Sequence, residues 1–236
     1  MRSRYSGLMM VALSLSLAVA AVAGEDVYTT SISLSDTKPG AAVSVVFRFS
    51  AKTDAFEKVD RIEVQMPAGT VVNGDGLSIL CYLESTDSDA GEICAKRYAS
   101  AKLGSGTLTT SSFGRHTVVG DAYVVDTGNT PGGANLVFFF PSGQVFGVGA
   151  QTIFGTLEFH GGPRPKMVME NIQDQLSLPF GMTARIISNE FKFVGQAGEP
   201  VYRNPEEGDV ESWDFAARLT WSGGGQVTTM HAPPAP

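Results

Sequence analysis

Histidine and cysteine are scarce in this chain, and their scarcity removes much of the chemistry a 236-residue protein could perform. His116, His160 and His231 are its three histidines. They lie far apart, near the ends of predicted strands, and no H-x-H, H-E-x-x-H or G-x-S-x-G string occurs. Neither a zinc site nor a nucleophile elbow is encoded locally. No catalytic residue and no cofactor is expected. Basic residues are in deficit too: 17 Lys and Arg against 24 Asp and Glu give a net charge of −7. A surface built to neutralise phosphates is disfavoured, so no nucleic-acid partner is expected. The last absence is helical periodicity, since beyond residue 23 no helix-length run repeats its apolar residues at i, i+3, i+4 and i+7.

The N-terminus carries a different signal. Arg2 and Arg4 precede an apolar run from Leu8 to Val22, and Ala21-Val22-Ala23 has the small-x-small form of a signal-peptidase site. The run is shorter than the roughly 20 apolar residues that cross a bilayer. These features predict a leader over residues 1–23 cleaved after Ala23, a mature chain without a membrane span, and a protein that is secreted or held at the cell envelope. In an oxidising compartment two cysteines most simply pair, which predicts a Cys81–Cys94 disulfide.

What remains is period-two alternation. Tyr28, Ile32 and Leu34 share one parity, and Val43, Val45, Phe47 and Phe49 follow after the turn Asp36-Thr37-Lys38-Pro39-Gly40. Two strands joined by so short a turn should be antiparallel neighbours. Further strands are predicted over Arg61–Met66, Leu77–Leu83, Thr117–Val125, Ile153–Phe159, Met167–Ile172 and Thr183–Val194, the last with a bulge near Ser188-Asn189. Leu136-Val137-Phe138-Phe139-Phe140 is apolar on both parities, as for a strand covered on both faces. Trp213, Phe215, Ala217, Leu219 and Trp221 then face one side of a strand that Gly223-Gly224-Gly225 turns into a last strand from Gln226 to His231. The parity of the two tryptophans assigns them to the core rather than to a sugar-stacking platform.

The expected fold is therefore all-β, an antiparallel β-sandwich of the immunoglobulin-like or jelly-roll-like kind. It spans residues 24–231, with room for two sub-sandwiches meeting near 111–116, and ends in a loose Pro-rich tail over 232–236. The acidic loop between the cysteines, Thr86-Asp87-Ser88-Asp89-Ala90-Gly91-Glu92, shows a fragment of a calcium-loop pattern. It lacks the rest of that pattern, so no metal is expected; Asp87, Asp89 and Glu92 are the calcium candidates.

Several stretches resemble an uncharacterised family of exported bacterial proteins, chiefly actinobacterial: SLSDTKPGAAVSVVFRFS, IEVQMPAGTVV, KLGSGTLTT, LSLPFGMTARIIS and RNPEEGDVESWDFAARLTWSGGG. The resemblance implies a β-sandwich with a signal peptide and supplies no functional residue. Relatives in that family carry a cysteine after the Asn-Pro and another near the terminus. This chain has Asn204-Pro205-Glu206-Glu207 and no late cysteine, so its last hairpin is held by packing. The functional expectation is a non-enzymatic structural or binding protein with a protein or cell-surface glycan as partner. A hydrolase using two of the strand carboxylates Glu63, Glu158, Glu170 and Glu190 is the first alternative. A calcium-dependent adhesin-like module is the second.

Overall fold

The computed structural model describes residues 27–52, 57–83, 89–111, 114–126, 133–145, 147–159, 164–176, 178–208 and 213–231. The expected leader, the tail over 232–236, Asp87 and His160 lie outside these residues. The alternating runs become β1 (Tyr28–Leu34), β2 (Ala42–Val43), β3 (Val45–Ala51), β4 (Val59–Gln65), β5 (Val71–Val72), β6 (Cys81–Tyr82), β7 (Lys102–Thr110), β8 (His116–Asp126), β9 (Gly133–Phe140), β10 (Gln151–Glu158), β11 (Lys166–Met169), β12 (Ile186–Phe193), β13 (Tyr202–Arg203), β14 (Asp214–Trp221) and β15 (Gly224–His231), with helices α1 (Ala90–Arg97) and α2 (Ile172–Gln175).

The all-β, antiparallel expectation holds. Its strands follow one hydrogen-bonded path, β1-β3-β12-β7-β8-β9-β10-β11-β4-β14-β15, with β6 joined in parallel to β8. β7 and β8, which flank 111–116, pair with each other as neighbours within this path. The path curls until it nearly closes on itself. Phe138 of β9 meets Phe191 and Phe193 of β12 edge-on, with ring centroids 5.1 and 6.3 Å apart. Those strands are separated by β7 and β8 in the sheet, so the rings touch across an enclosed interior. Inward residues of nearly every strand, from Tyr28 to Met230, form one core there. At the end of the barrel marked by Val45 and Phe193, a small sheet, β2-β13-β5, adds the buried Val43, Val201 and Tyr202 to that core.

No ladder joins β1 to β15, the two ends of the path. A side chain closes the seam instead. The buried Gln226 accepts a hydrogen bond from the Tyr28 backbone N–H at 3.0 Å and donates from Nε2 to the Tyr28 carbonyl at 2.7 Å. Its amide thereby does for Tyr28 what a peptide of a neighbouring strand would do.

A second layer covers β8 and β9 from outside. Cys81 and Cys94 form the expected disulfide, with Cα atoms 5.5 Å apart, and cluster with Ala90, Ala101, Tyr123, Val125, Val137 and Phe139. This is why β9 is apolar on both parities: Phe138 faces the barrel and Phe139 faces α1. Helix α1 corrects the expectation of a polar loop between the cysteines. Eight residues containing one glycine are too short for a periodic signal, and the helix is held by the covalent bond and by packing. Gly91 permits that packing, because a Cβ there would lie 2.6 Å from the Phe139 ring. One further expectation changes. The predicted strand over Leu77–Leu83 is a 3₁₀ turn at Gly74–Leu77 followed by the short β6. The glycine-rich run after Lys102, where no strand was predicted, is the full strand β7, whose Gly106 leaves space for Phe191 and the Glu190 carbonyl. The bulge expected in β12 falls between Ile186 and Ser188.

Two outcomes follow for stability in urea. Gln226→Ala strips Tyr28 of both backbone partners and should cost about 1–3 kcal/mol. Gln226→Glu should cost more, since it sets a carboxylate against the Tyr28 carbonyl in a buried site; variants as stable as the parent would show that the seam holds without the amide. Reducing the disulfide, whose cysteines are 13 residues apart, should cost about 3 kcal/mol by releasing a constraint on the unfolded chain. Paired unfolding curves with and without reductant measure that loss.

Candidate functional site

A cleft lies at the barrel end opposite the small sheet. There Leu108 and Thr110 of β7, Val118 of β8 and Phe140 of β9 meet Val145 and Val148 of the β9–β10 connection, and Leu176, Leu178 and Ala184 beyond α2. Together they line a shallow cleft that is partly open to solvent. Leu108 and Phe140 also line a smaller interior pocket with Ile62, Phe138, Ile153, Met169, Ile172, Ile186, Phe191 and Asn189. The floor of the cleft is thus the barrel core, and barrel mouths are a common location for small-ligand sites.

The rim is irregular because strands stop there, and glutamines replace the missing neighbours. β11 ends at Met169, so the start of β10 has no strand on that side. The Gln175 amide instead accepts from the Phe154 N–H at 2.6 Å and donates to the Phe154 carbonyl at 3.4 Å. Gln173 pairs in the same two-point way with Ala184, at 3.0 and 2.9 Å, and also donates to the Val59 carbonyl. Gln144, itself in the cleft wall, does so with Val119 at 2.6 and 2.8 Å. These bonds hold a non-repeating rim in one shape.

Asn189 is the one polar residue among those that line the inner pocket. It is 8 % exposed, faces Leu108 across the β12–β7 ladder and lines the apolar inner pocket. An amide in apolar surroundings favours any group that can pair with it.

The residues singled out from the sequence lie elsewhere. His116 opens β8 at the cleft end and His231 closes β15 at the other, so these two do not meet in one site. The strand carboxylates lie on the barrel exterior, engaged by cations: Glu190 by Arg48 at 2.6 Å, Glu158 by Lys166 at 3.0 Å, and Glu63 and Glu170 both by Arg61. Of the calcium candidates, Glu92 sits in the first turn of α1 and pairs with Lys96, and Asp89 precedes the helix. Among the described residues no three His, Cys, Asp or Glu side chains are grouped as a metal site. Trp213 is buried and Trp221 packs edge-on against Tyr28 at 6.1 Å, as their parity implied. Tyr82 and Tyr98 meet edge-on at 6.2 Å outside the disulfide layer, a pairing the sequence reading missed. No helix among the described residues is long and apolar enough to cross a membrane.

Buried phenols mark how closed the structure is away from the cleft. Burial, with the Asp121 charge beside it, pushes the Tyr123 hydroxyl up to about 12, and burial raises Tyr202 further. Glu63 moves the other way. Burial opposes its ionisation, but the hydrogen bond from Arg61 and the charges of Arg61, Lys166 and Arg218 outweigh it and hold the carboxyl below its ordinary range. Comparison with protein-family models, curated proteins and solved structures returns no match.

The Glu63 group makes a pH prediction. A carboxyl with a lowered folded pKa contributes stability above its unfolded value, about 4.3, and that contribution is lost as pH falls through the folded value. Glu63→Gln should therefore be less stable than the parent at neutral pH, and the gap should close in acid. Urea curves across the acid range test this; a gap that does not change with pH would leave Glu63 without an ionic role.

Proposed function

We propose that this is an exported, non-enzymatic binding protein of the cell envelope or its surroundings, which takes the apolar chain of a small amphiphile into the cleft at the barrel mouth. The observation that carries the reading is the continuity of an apolar cleft with an inner pocket holding one neutral amide, that of Asn189. The lining supplies affinity by burying hydrocarbon, at about 0.8 kcal/mol per CH₂. Asn189 supplies selectivity. A neutral amide pairs with a carbonyl, ester or hydroxyl, and the surrounding Ile, Phe and Leu side chains disfavour an ionised head.

The leader pattern and the resemblance to exported β-sandwich proteins support the location. The ion pairs that engage the strand carboxylates support binding over hydrolysis. The two walls whose phenylalanines meet across the interior would be the layers of the expected immunoglobulin-like or jelly-roll-like sandwich, here joined at their edges. A glycan partner draws on a different feature, the exposed Tyr82 ring beside Tyr98.

Displacement of the neutral fluorescent probe N-phenyl-1-naphthylamine by saturated monoacylglycerols tests the cleft. Affinity should rise roughly tenfold for every two CH₂ groups until the cleft is full. Val148→Trp, which fills it, should weaken binding by about tenfold or more, and Asn189→Leu should reduce the preference for monoacylglycerol over an alkane of equal length. A parent protein that does not bind the probe, or a Val148→Trp variant that binds equally well, overturns the assignment.

A further inference from the structure

The pairing rule of the barrel breaks at one place, the seam between β1 and β15. Along the path from β1 to β15 each strand runs antiparallel to the next. The path holds eleven strands once β6 is set aside. Because that number is odd, β1 and β15 run in the same direction. One more strand, running against both, would pair antiparallel on either side and complete the circuit without a change of rule.

The backbone of β1 is set up for such a strand. Successive residues of a paired strand direct their N–H and carbonyl groups to opposite sides. The Val27 carbonyl accepts from Lys52 at 2.9 Å and the Ser35 N–H donates to Ser44 at 3.0 Å, both on the β3 side. Both groups of Tyr28 turn the other way, to Gln226. The register from Tyr28 to Leu34 is unbroken, so Thr30, Ile32 and Leu34 direct their backbone groups to the seam as Tyr28 does, where no ladder takes them up. Ile32 and Leu34 are buried, and the Thr30 hydroxyl is buried without a hydrogen-bond partner. Buried main-chain groups call for partners, and an extended peptide has donors and acceptors at the required spacing.

Composition points the same way. Edges that must stay unpaired are guarded by charge, proline or bulges. β1 (YTTSISL) and the run Gly224–Met230 of β15 (GGQVTTM) contain no Lys, Arg, Asp, Glu or Pro. Charge stands instead on strands already paired on both sides, as at Arg61, Glu63, Lys166, Glu190 and Lys192.

We propose that the seam between β1 and β15 captures an extended segment of another polypeptide as an added strand, antiparallel to both. The segment is uncharged and free of proline. Its apolar side chains, at alternate positions, join Ile32, Leu34 and Met230 inside, and small hydroxyl residues between them lie beside the exposed Thr29, Ser31 and Thr229. Entry widens the seam and breaks the two Gln226 bonds to Tyr28; the strand returns both and adds a ladder on each side. The inference is independent of the cleft.

The test uses the full chain and a fluorophore-labelled peptide, acetyl-Thr-Val-Thr-Val-Thr-Val-Thr-amide. Fluorescence anisotropy should show saturable binding. Amide hydrogen exchange followed by NMR should slow about tenfold or more at Thr30 and Ile32, and stay unchanged at Asn73, whose N–H is already bonded to Val201. A peptide with proline for its central valine leaves the protein untouched and should bind about tenfold more weakly. Gln226→Ala, which vacates Tyr28, should bind the parent peptide about tenfold more tightly. Thr30→Pro removes a donor from the seam side and none from the β3 ladder, so it should fold and bind about tenfold more weakly. Absence of binding, exchange that does not slow at Thr30 and Ile32, a proline peptide that binds equally well, or a Gln226→Ala variant that binds no better overturns the proposal. So does protection of these two amides in the chain alone that grows with concentration alongside a dimeric mass, since a second copy would then hold the seam.

Discussion

A curled sheet must do something with the backbone groups at its ends, and in this protein glutamine amides complete the pairing. At Tyr28, Ile79, Val119, Phe154 and Ala184 a single glutamine side chain takes the residue's N–H on its oxygen and gives its nitrogen to the same residue's carbonyl. The side-chain amide has the donor and acceptor of a peptide unit, so each behaves as one residue of a strand that is not there. A buried backbone polar group left unpaired costs about 1–3 kcal/mol; that applies in full at Tyr28, whose two bonds to Gln226 are buried, and least at Val119, which is exposed. The near-closure of the barrel at Gln226 depends on this substitution, and so does the docking of the disulfide layer, where Gln196 joins Ile79 to the Ala101 carbonyl.

The irregular rim at the cleft end of the barrel follows from the same device. Had β11 continued beyond Met169, it would have paired with the first half of β10 and carried the sheet across the mouth. The chain instead turns through α2, and Gln173 and Gln175 project from that single turn to hold Ala184 and Phe154. The rim is consequently both irregular and fixed. An apolar ligand entering such a cleft need not pay to order it, which is where much affinity is otherwise lost.

Much of the barrel was legible in the sequence because alternation reports the inner face directly. Tyr28, Phe47, Phe49, Ile62 and Phe215 all sit where parity put them, and the doubly apolar Leu136–Phe140 announced its second cover. What was illegible has physical reasons. β7 is hidden by glycines that its neighbours require at close approach, and α1 is too short to show a period. The five glutamines look like ordinary surface residues, because their partners are main-chain atoms 25, 11, 21, 117 and 198 positions away. The cleft shares that difficulty: its walls come from β7, β8, β9 and two connections, and only the folded order brings Leu108, Val148 and Leu178 together.

The location of charge sets the chemistry open to the molecule. The strand carboxylates and the cations that engage them are on the outer face, where solvent moderates the cost of ionisation, and the interior pocket is left to hydrocarbon and one amide. An ionised group brought to Asn189 would lose its hydration and find no counter-charge among Ile62, Phe138, Ile153 and Phe191, a loss of several kcal/mol that one neutral hydrogen bond does not recover. A neutral polar group would lose less and regain most of it from the amide. The interior therefore discriminates by charge before it discriminates by shape, and it does so with a single side chain on the inward face of β12, next to the bulge at which that strand changes register.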